Sequence, residues 1–250
     1  MTSFLTAALL VVSAGAAAQT PAPPASTPPP AFGIEDNSFL VEEAFNQDKG
    51  IFQNIFVFSR SHTGSWNASF TQEWPLGGQR HQVSFTIPYA RENGTGDVGD
   101  VFLNYRLQVW TGDDRRPAFS PRLSWTRHGW QANLPFSKRV NRLYVHANAG
   151  STWLHDASEG WGSTPFVAGS AIVAVRPMLN LMLEAYSEWR PNGAGAHDRA
   201  VTISPGVRGG WNVGDAQFVL GLAAPITRGA VRDHGVLGYV SYELPFSKNR

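Results

Sequence analysis

The chain contains no cysteine, which removes disulfides, thiolate metal sites and cysteine nucleophiles from consideration. Charge is scarce: Asp, Glu, Lys and Arg make up 16% of the 250 residues, against about 25% in soluble domains. The formal net charge is +1, too small to draw the chain to nucleic acid, so none is expected as a partner. Beyond the N-terminus no run approaches the roughly eighteen consecutive apolar residues of a membrane helix, which excludes a helical membrane protein. Aromatic residues, in contrast, reach 12%, with nine Trp and fifteen Phe. Few charges, many aromatics and no membrane helix fit a barrel whose lipid-facing residues are spread over alternate positions.

The N-terminal run Phe4 to Ala18 is apolar, rich in small residues, and ends Ala16-Ala17-Ala18. It reads as a signal peptide over 1–18, cut before Gln19, although no Lys or Arg precedes it. Residues 19–37 form a tether whose core, Thr20 to Pro30, is too proline-rich to fold alone. Ser38 to Lys49 fits a helical turn or a lead-in strand equally well. A single barrel domain is expected over 38–250.

The pattern is clearest from His81 to Trp110. Val83, Phe85, Ile87 and Tyr89 alternate with polar or small residues; so do Val101, Leu103, Tyr105, Leu107 and Val109 on the return arm. Period two means strands with one apolar and one polar face, and Glu92 to Asp97 supplies the loop of a hairpin. The same signal recurs about twelve times from Ile51 to Phe246. The expected architecture is therefore a transmembrane up-and-down antiparallel β-barrel of about twelve strands. Outward faces would hold Trp66, Ala68, Phe70 and Trp74; Leu181, Leu183 and Ala185; Phe218, Leu220 and Leu222; and Val236, Val240 and Tyr242. Short turns (76–79, 111–118, 137–140, 176–178, 212–215) alternate with longer loops (92–97, 155–164, 191–199, 228–234), the layout of a bacterial outer-membrane barrel. Prolines 75, 88, 135 and 245 are expected near strand ends, where a missing donor costs least.

Several segments resemble the outer-membrane transporter family named for the meta-pathway of phenol degradation. They are Glu43-Ala44-Phe45-Asn46-Gln47, Gly99-Asp100-Val101-Phe102-Leu103-Asn104-Tyr105-Arg106 and Pro121-Arg122-Leu123-Ser124. Gly129 to Lys138 and His146-Ala147-Asn148-Ala149-Gly150 continue the match, which spans roughly Ser38 to Phe246. The resemblance implies one outer-membrane barrel that passes small molecules, in keeping with hydrophobic or aromatic solutes. The chain departs from the family at Trp125-Thr126-Arg127-His128, where the family carries a longer hairpin, and at Phe246, which is followed by Ser247-Lys248-Asn249-Arg250.

Inward charges are the candidate functional residues. Glu73, Arg106, Arg122, Glu184, Glu188, Arg208 and Glu243 would pair across the lumen or line water, together with His146. They form either a selectivity zone or a structural network filling a narrow barrel. Trp66, Trp74, Tyr89, Trp110, Trp130, Trp153 and Trp189 sit at strand ends as an interfacial girdle would. Expected partners are outer-membrane lipid, a small-molecule solute and the outer-membrane insertion machinery. No cofactor is expected, nor a metal, since His146 lacks convergent ligands at fixed spacing. Two other readings are a structural or adhesive barrel with an occluded lumen, and an outer-membrane hydrolase built on His155, Asp156 and Ser158. The hydrolase has no Gly-x-Ser-x-Gly elbow to support it.

Overall fold

The computed structural model describes residues 33–34, 38–92, 94–158, 160–192 and 195–246. The expected signal peptide and most of the expected tether lie outside these residues. In chain order the strands are β1 (Ile51–Ser61), β2 (Trp66–Pro75), β3 (His81–Glu92), β4 (Thr95–Val98) and β5 (Phe102–Leu107). They continue as β6 (Ala118–Phe119), β7 (Arg122–Thr126), β8 (Gly129–Val140), β9 (Leu143–Asp156) and β10 (Gly160–Arg176). The last are β11 (Leu179–Pro191), β12 (His197–Val213), β13 (Ala216–Ala223), β14 (Ile226–Gly229) and β15 (Asp233–Pro245).

Three staves are interrupted: β4 continues into β5, β6 into β7, and β13 into β14. The molecule is thus a closed barrel of 12 antiparallel strands. Closure is made by β1 and β15, paired from Ile51↔Pro245 to Ser61↔Gly235. With no free edge, every stave finds ladder partners on both sides.

Each interruption lies beside a proline. Pro88 sits inside β3, and opposite it Gly99, Asp100 and Val101 leave the ladder between β4 and β5, with Gly99 N–H donating to the Pro88 carbonyl at 2.9 Å. Pro121 lies in the break between β6 and β7, facing a β8 that contains Pro135. Pro225 marks the break between β13 and β14. Proline offers the ladder no donor, so the strand bulges or breaks there. Pro75 and Pro245 do end strands, as expected; Pro88 and Pro135 do not.

The loops differ from expectation. Most of the presumed long loops are taller strands: β9 runs to Asp156 and β10 resumes at Gly160, while β11 runs to Pro191 and β12 resumes at His197. Ladder pairing such as Trp161↔His155 extends the wall through them. Conversely, the expected short turn 111–118 overlaps a longer connection over 108–117. Two-residue turns at 141–142, 177–178 and 214–215 carry positive φ at Asn141, Met178 and Gly214, as tight hairpins require. Phe246 N–H donates to the Gly50 carbonyl at 2.8 Å, so both ends of the barrel sequence meet at this short-turn rim.

Side chains are distributed inside out. Leu222 is 66% exposed on the outer surface, Leu103 60% and Val236 58%, whereas Gln53, Glu184 and Arg208 on the inner surface are 0–1% exposed. The outward and inward assignments made from periodicity hold along β2, β11, β13 and β15. If this outer surface faces hydrocarbon, Leu222→Arg should destabilise the folded barrel in bilayers by about 2–4 kcal/mol, read by denaturant titration in vesicles. No change in midpoint would mean that Leu222 does not face lipid.

Candidate functional site

The lower lumen is filled by the chain's own N-terminal segment. Gly33 and Ile34 lie at the short-turn rim, where Gln217 Nε2 donates to the Gly33 carbonyl at 2.7 Å. These two residues, expected in the tether, are thus packed inside the barrel; Ile34 is 1% exposed. Residues 38–48 arch across the lumen and descend to β1 at Ile51. The arch is neither helical turn nor strand. Its N–H groups are met one by one by wall side chains. Leu40 and Val41 donate to Glu184 Oε1 at 2.9 and 3.1 Å, and Glu42 to Asn148 Oδ1 at 2.8 Å. Ala44 donates to Ser137 Oγ at 2.7 Å, Asn46 to Gln108 Oε1 at 3.0 Å and Gln47 to Gln82 Oε1 at 2.7 Å. Because those wall residues project inward from five different strands or their ends, no stretch of ladder can form.

The Phe39 ring seats the arch tip. It packs against Tyr239 (ring centroids 5.0 Å apart) and over Gly221 and Gly206, where an added Cβ would meet it at 2.2 and 3.1 Å. Glycine at these two inward positions makes room for the ring.

Opposite Phe39, Glu42 anchors the arch electrostatically. Its carboxylate receives Arg106, Arg122 Nη1 at 3.0 Å and Asn133 Nδ2 at 2.6 Å. Arg106 also donates to the Phe45 carbonyl at 3.1 Å, and Arg122 to Gln131 Oε1 at 2.8 Å. Burial raises the Glu42 pKa, but Arg122 and Arg106 outweigh it and hold the carboxyl below its ordinary 4.5. A second cluster lies along the arch at Glu43, whose Oε1 is 3.9 Å from His146 Nε2 and 4.0 Å from Arg208 Nη2. Ser137 Oγ accepts from Ala44 N–H and lies 2.7 Å from His146 Nδ1. If the hydroxyl proton goes to Nδ1, the ring proton sits on Nε2, toward Glu43.

Above the arch lies a cavity of about 290 Å³. One flank is apolar (Phe39, Ile55, Val57, Phe166, Tyr186, Tyr239) and the other polar (Thr71, Thr86, Gln131, Asn133, Asn148), with Glu42, Glu73, Arg106 and Arg122 among its lining residues. The two carboxylates and two guanidiniums balance in charge. Arg106 Nε, Arg122 Nε and Asn133 Oδ1 are buried there without a hydrogen-bond partner among the described residues.

The sequence-predicted residues therefore divide. Glu73, Arg106 and Arg122 line the cavity. His146, Glu184 and Arg208 are sealed between wall and arch, at 1% exposure each, and do not line it. Glu188 lies nearer the far rim, paired with Arg190 at 2.5 Å. Glu243 sits at the short-turn rim, in register with Gln53 and Gln217. Sequence reasoning missed Glu42, the residue on which the network converges; its only signal was a pair of carboxylates in the otherwise apolar run Phe-Leu-Val-Glu-Glu-Ala-Phe. Of the girdle residues, Trp74 and Trp110 lie toward the short-turn rim, while Trp66, Tyr89, Trp130, Trp153 and Trp189 lie toward the far rim. Trp130 and Trp153 stack at 3.9 Å. The hydrolase constellation is not assembled: Ser158 Oγ donates to Asp156, while the His155 ring packs edge-on against Trp161.

The fold defines a twelve-stranded antiparallel barrel with an internal N-terminal arch. It is similar to the COG4313 outer membrane channel from Pseudomonas putida F1, at TM-score 0.60 and 10% identity, covering 84% of this chain and 100% of that one. Two structures of OmpT, an outer membrane protein of Vibrio cholerae, overlap only loosely. The loop-deleted form gives TM-score 0.33 at 8% identity, covering 78% of this chain and 98% of that one, and the in-vitro folded form 0.28 at 9%, covering 82% and 99%. No protein-family model matches the chain, and no curated protein matches it.

Glu42→Gln leaves the buried Arg106 and the half-buried Arg122 facing a neutral amide and should weaken arch docking by about 3–5 kcal/mol, seen as faster proteolysis within 38–48. Cleavage at the wild-type rate would contradict the anchor. Because the docked Glu42 is depressed, its contribution is present above pH 4.5 and lost as pH falls through the lower docked value. Arch protection should therefore hold at neutral pH and fade only in acid.

Proposed function

We propose that the protein is an outer-membrane channel for passive passage of small molecules, gated by its own N-terminal arch. The carrying observation is the combination of an apolar outer surface, a chambered polar interior and a segment held across the lumen by side-chain bonds rather than by a ladder. Such bonds are individually modest, about 0.5–1.5 kcal/mol net, so an arch held this way is displaceable in a way that a paired strand is not. The likeness to a solved outer-membrane channel supports the fold on which this reading stands. Arg106, Arg122 and Glu73 form the selectivity zone, while His146, Glu184 and Arg208 hold the gate.

The cavity's two flanks favour small amphipathic solutes: an apolar or aromatic body against Phe166, Tyr186 and Tyr239, and a polar end toward Arg122 and Asn133. This agrees with the hydrophobic or aromatic solutes that the phenol meta-pathway resemblance implies. A bacterial outer-membrane location, with the short-turn rim toward the periplasm, is the reading that the closed barrel and the meeting of β1 and β15 at that rim support. The arch filling the lower lumen favours one second reading, a structural barrel with an occluded lumen.

Planar-bilayer conductance separates the two. Deleting residues 38–47 should raise single-channel conductance well above that of the intact chain, and adding Arg122→Gln should then change ion selectivity. A deletion variant that inserts but conducts no better than the intact protein would favour the occluded barrel.

A further inference from the structure

Three outward-facing residues lie side by side on the first three strands near the far rim. Arg60 on β1 is in register with Trp66 on β2, and Trp66 with Arg91 on β3. They share their face with Phe56, Phe58 and Ile87, which are 37–43% exposed on the apolar outer wall. Trp66 is braced by Tyr89 (centroids 5.0 Å) and Phe58 (5.6 Å). The two arginines are two strand spacings apart, about 10 Å at the backbone. Both are exposed, and neither guanidinium has a hydrogen-bond or ion-pair partner among the described residues.

The charges around them are sorted by face. Strand residues Glu92, Asp97, Asp156, Asp198 and Asp233 near this rim are in register with lumen-side neighbours rather than with the outward row. Asp233 is moreover engaged by Ser61 and His62. The outward Arg199 differs from the pair: its Nε donates to Ser187 Oγ at 2.9 Å and its guanidinium lies 5.5 Å from the Trp189 ring. Arg60 and Arg91 are thus cations at the upper margin of an apolar wall, flanking an interfacial tryptophan, with no anion among the described residues to neutralise them.

We propose that Arg60, Trp66 and Arg91 form a docking site for the phosphorylated headgroup of an outer-leaflet glycolipid. Each guanidinium presents paired N–H donors that match phosphate oxygens. The separation lets one headgroup carrying two phosphates engage both arginines while its acyl chains run down the wall past Phe58 and Ile87. Trp66, with an apolar ring and a polar N–H, marks the depth at which hydrocarbon gives way to headgroup. The site rests on the membrane-barrel reading and adds to it a defined lipid contact on one side of the barrel.

The test is native mass spectrometry of the full-length protein released from detergent, titrated with bis-phosphorylated lipid A, its dephosphorylated form or phosphatidylglycerol. The expected result is retention of bis-phosphorylated lipid A at least about tenfold tighter by wild type than by the Arg60→Gln/Arg91→Gln double variant, with little retention of the dephosphorylated form. Equal retention by wild type and double variant, or phosphatidylglycerol held as tightly as lipid A, would overturn the proposal. Heat-modifiable migration on gels should be unchanged in the double variant, because these side chains support nothing internal. Protease protection in vesicles reads membrane insertion separately, so failure of insertion and failure of headgroup docking give different signals.

Discussion

Closure of β15 onto β1 is the constraint from which the other features follow. A sheet that ends leaves a row of backbone donors and acceptors unpaired, and hydrocarbon offers them no partner. Eleven residues of β1 in register with β15 remove that row. Once the cylinder is closed, alternate side chains must point either outward or into a narrow interior. Leu103, Leu222 and Val236 take the outside, so polarity is forced inward. The arrangement reverses that of a soluble domain, in which burial of apolar surface drives folding.

An interior packed with Glu, Arg, Gln and Asn has its own cost, since each buried polar group needs a partner. Most of the lower lumen meets that demand with the protein's own backbone. Gln82, Gln108, Ser137, Asn148 and Glu184 each take an N–H from the arch, and Glu42 meets two guanidiniums that stand side by side, in register on β5 and β7. The arch leaves a chamber above it, lined on one flank by Thr71, Thr86, Gln131, Asn133 and Asn148 and on the other by aromatic and aliphatic side chains. The same polar inventory thus serves as lock below and as lining above.

Strands and faces were legible in the sequence because period-two alternation survives even where the ladder is broken. Phe70, Leu183 and Leu220 point outward, and Arg106, Glu184 and Arg208 inward, as their parity requires. Loop lengths were not legible. A stretch such as Gly160-Trp161-Gly162-Ser163-Thr164 has the composition of a loop, yet it is held as strand by neighbouring tall staves. The arch was illegible for a related reason: it forms neither helix nor strand, and what holds it is a set of side chains dispersed over a hundred residues. No local pattern encodes such long-range pairing. Consequently parity was enough to put Arg106, Glu184 and Arg208 on the lumen face, but the division between cavity lining and arch anchor could not be read until Glu42 was placed among them.

The absence of cysteine allows a direct measurement of the central claim, that alternate residues face lipid and lumen with the arch between. Single cysteines introduced at Leu222, Asn67 and Ala44 can each carry a nitroxide label in the protein reconstituted into bilayers. Relaxation enhancement by oxygen, which concentrates in hydrocarbon, and by a water-soluble nickel chelate then reports what each position meets. The account predicts that the label at 222 responds to oxygen, the one at 67 to the chelate, and the one at 44 to neither. A label at 222 that met the chelate as freely as the one at 67 would contradict it.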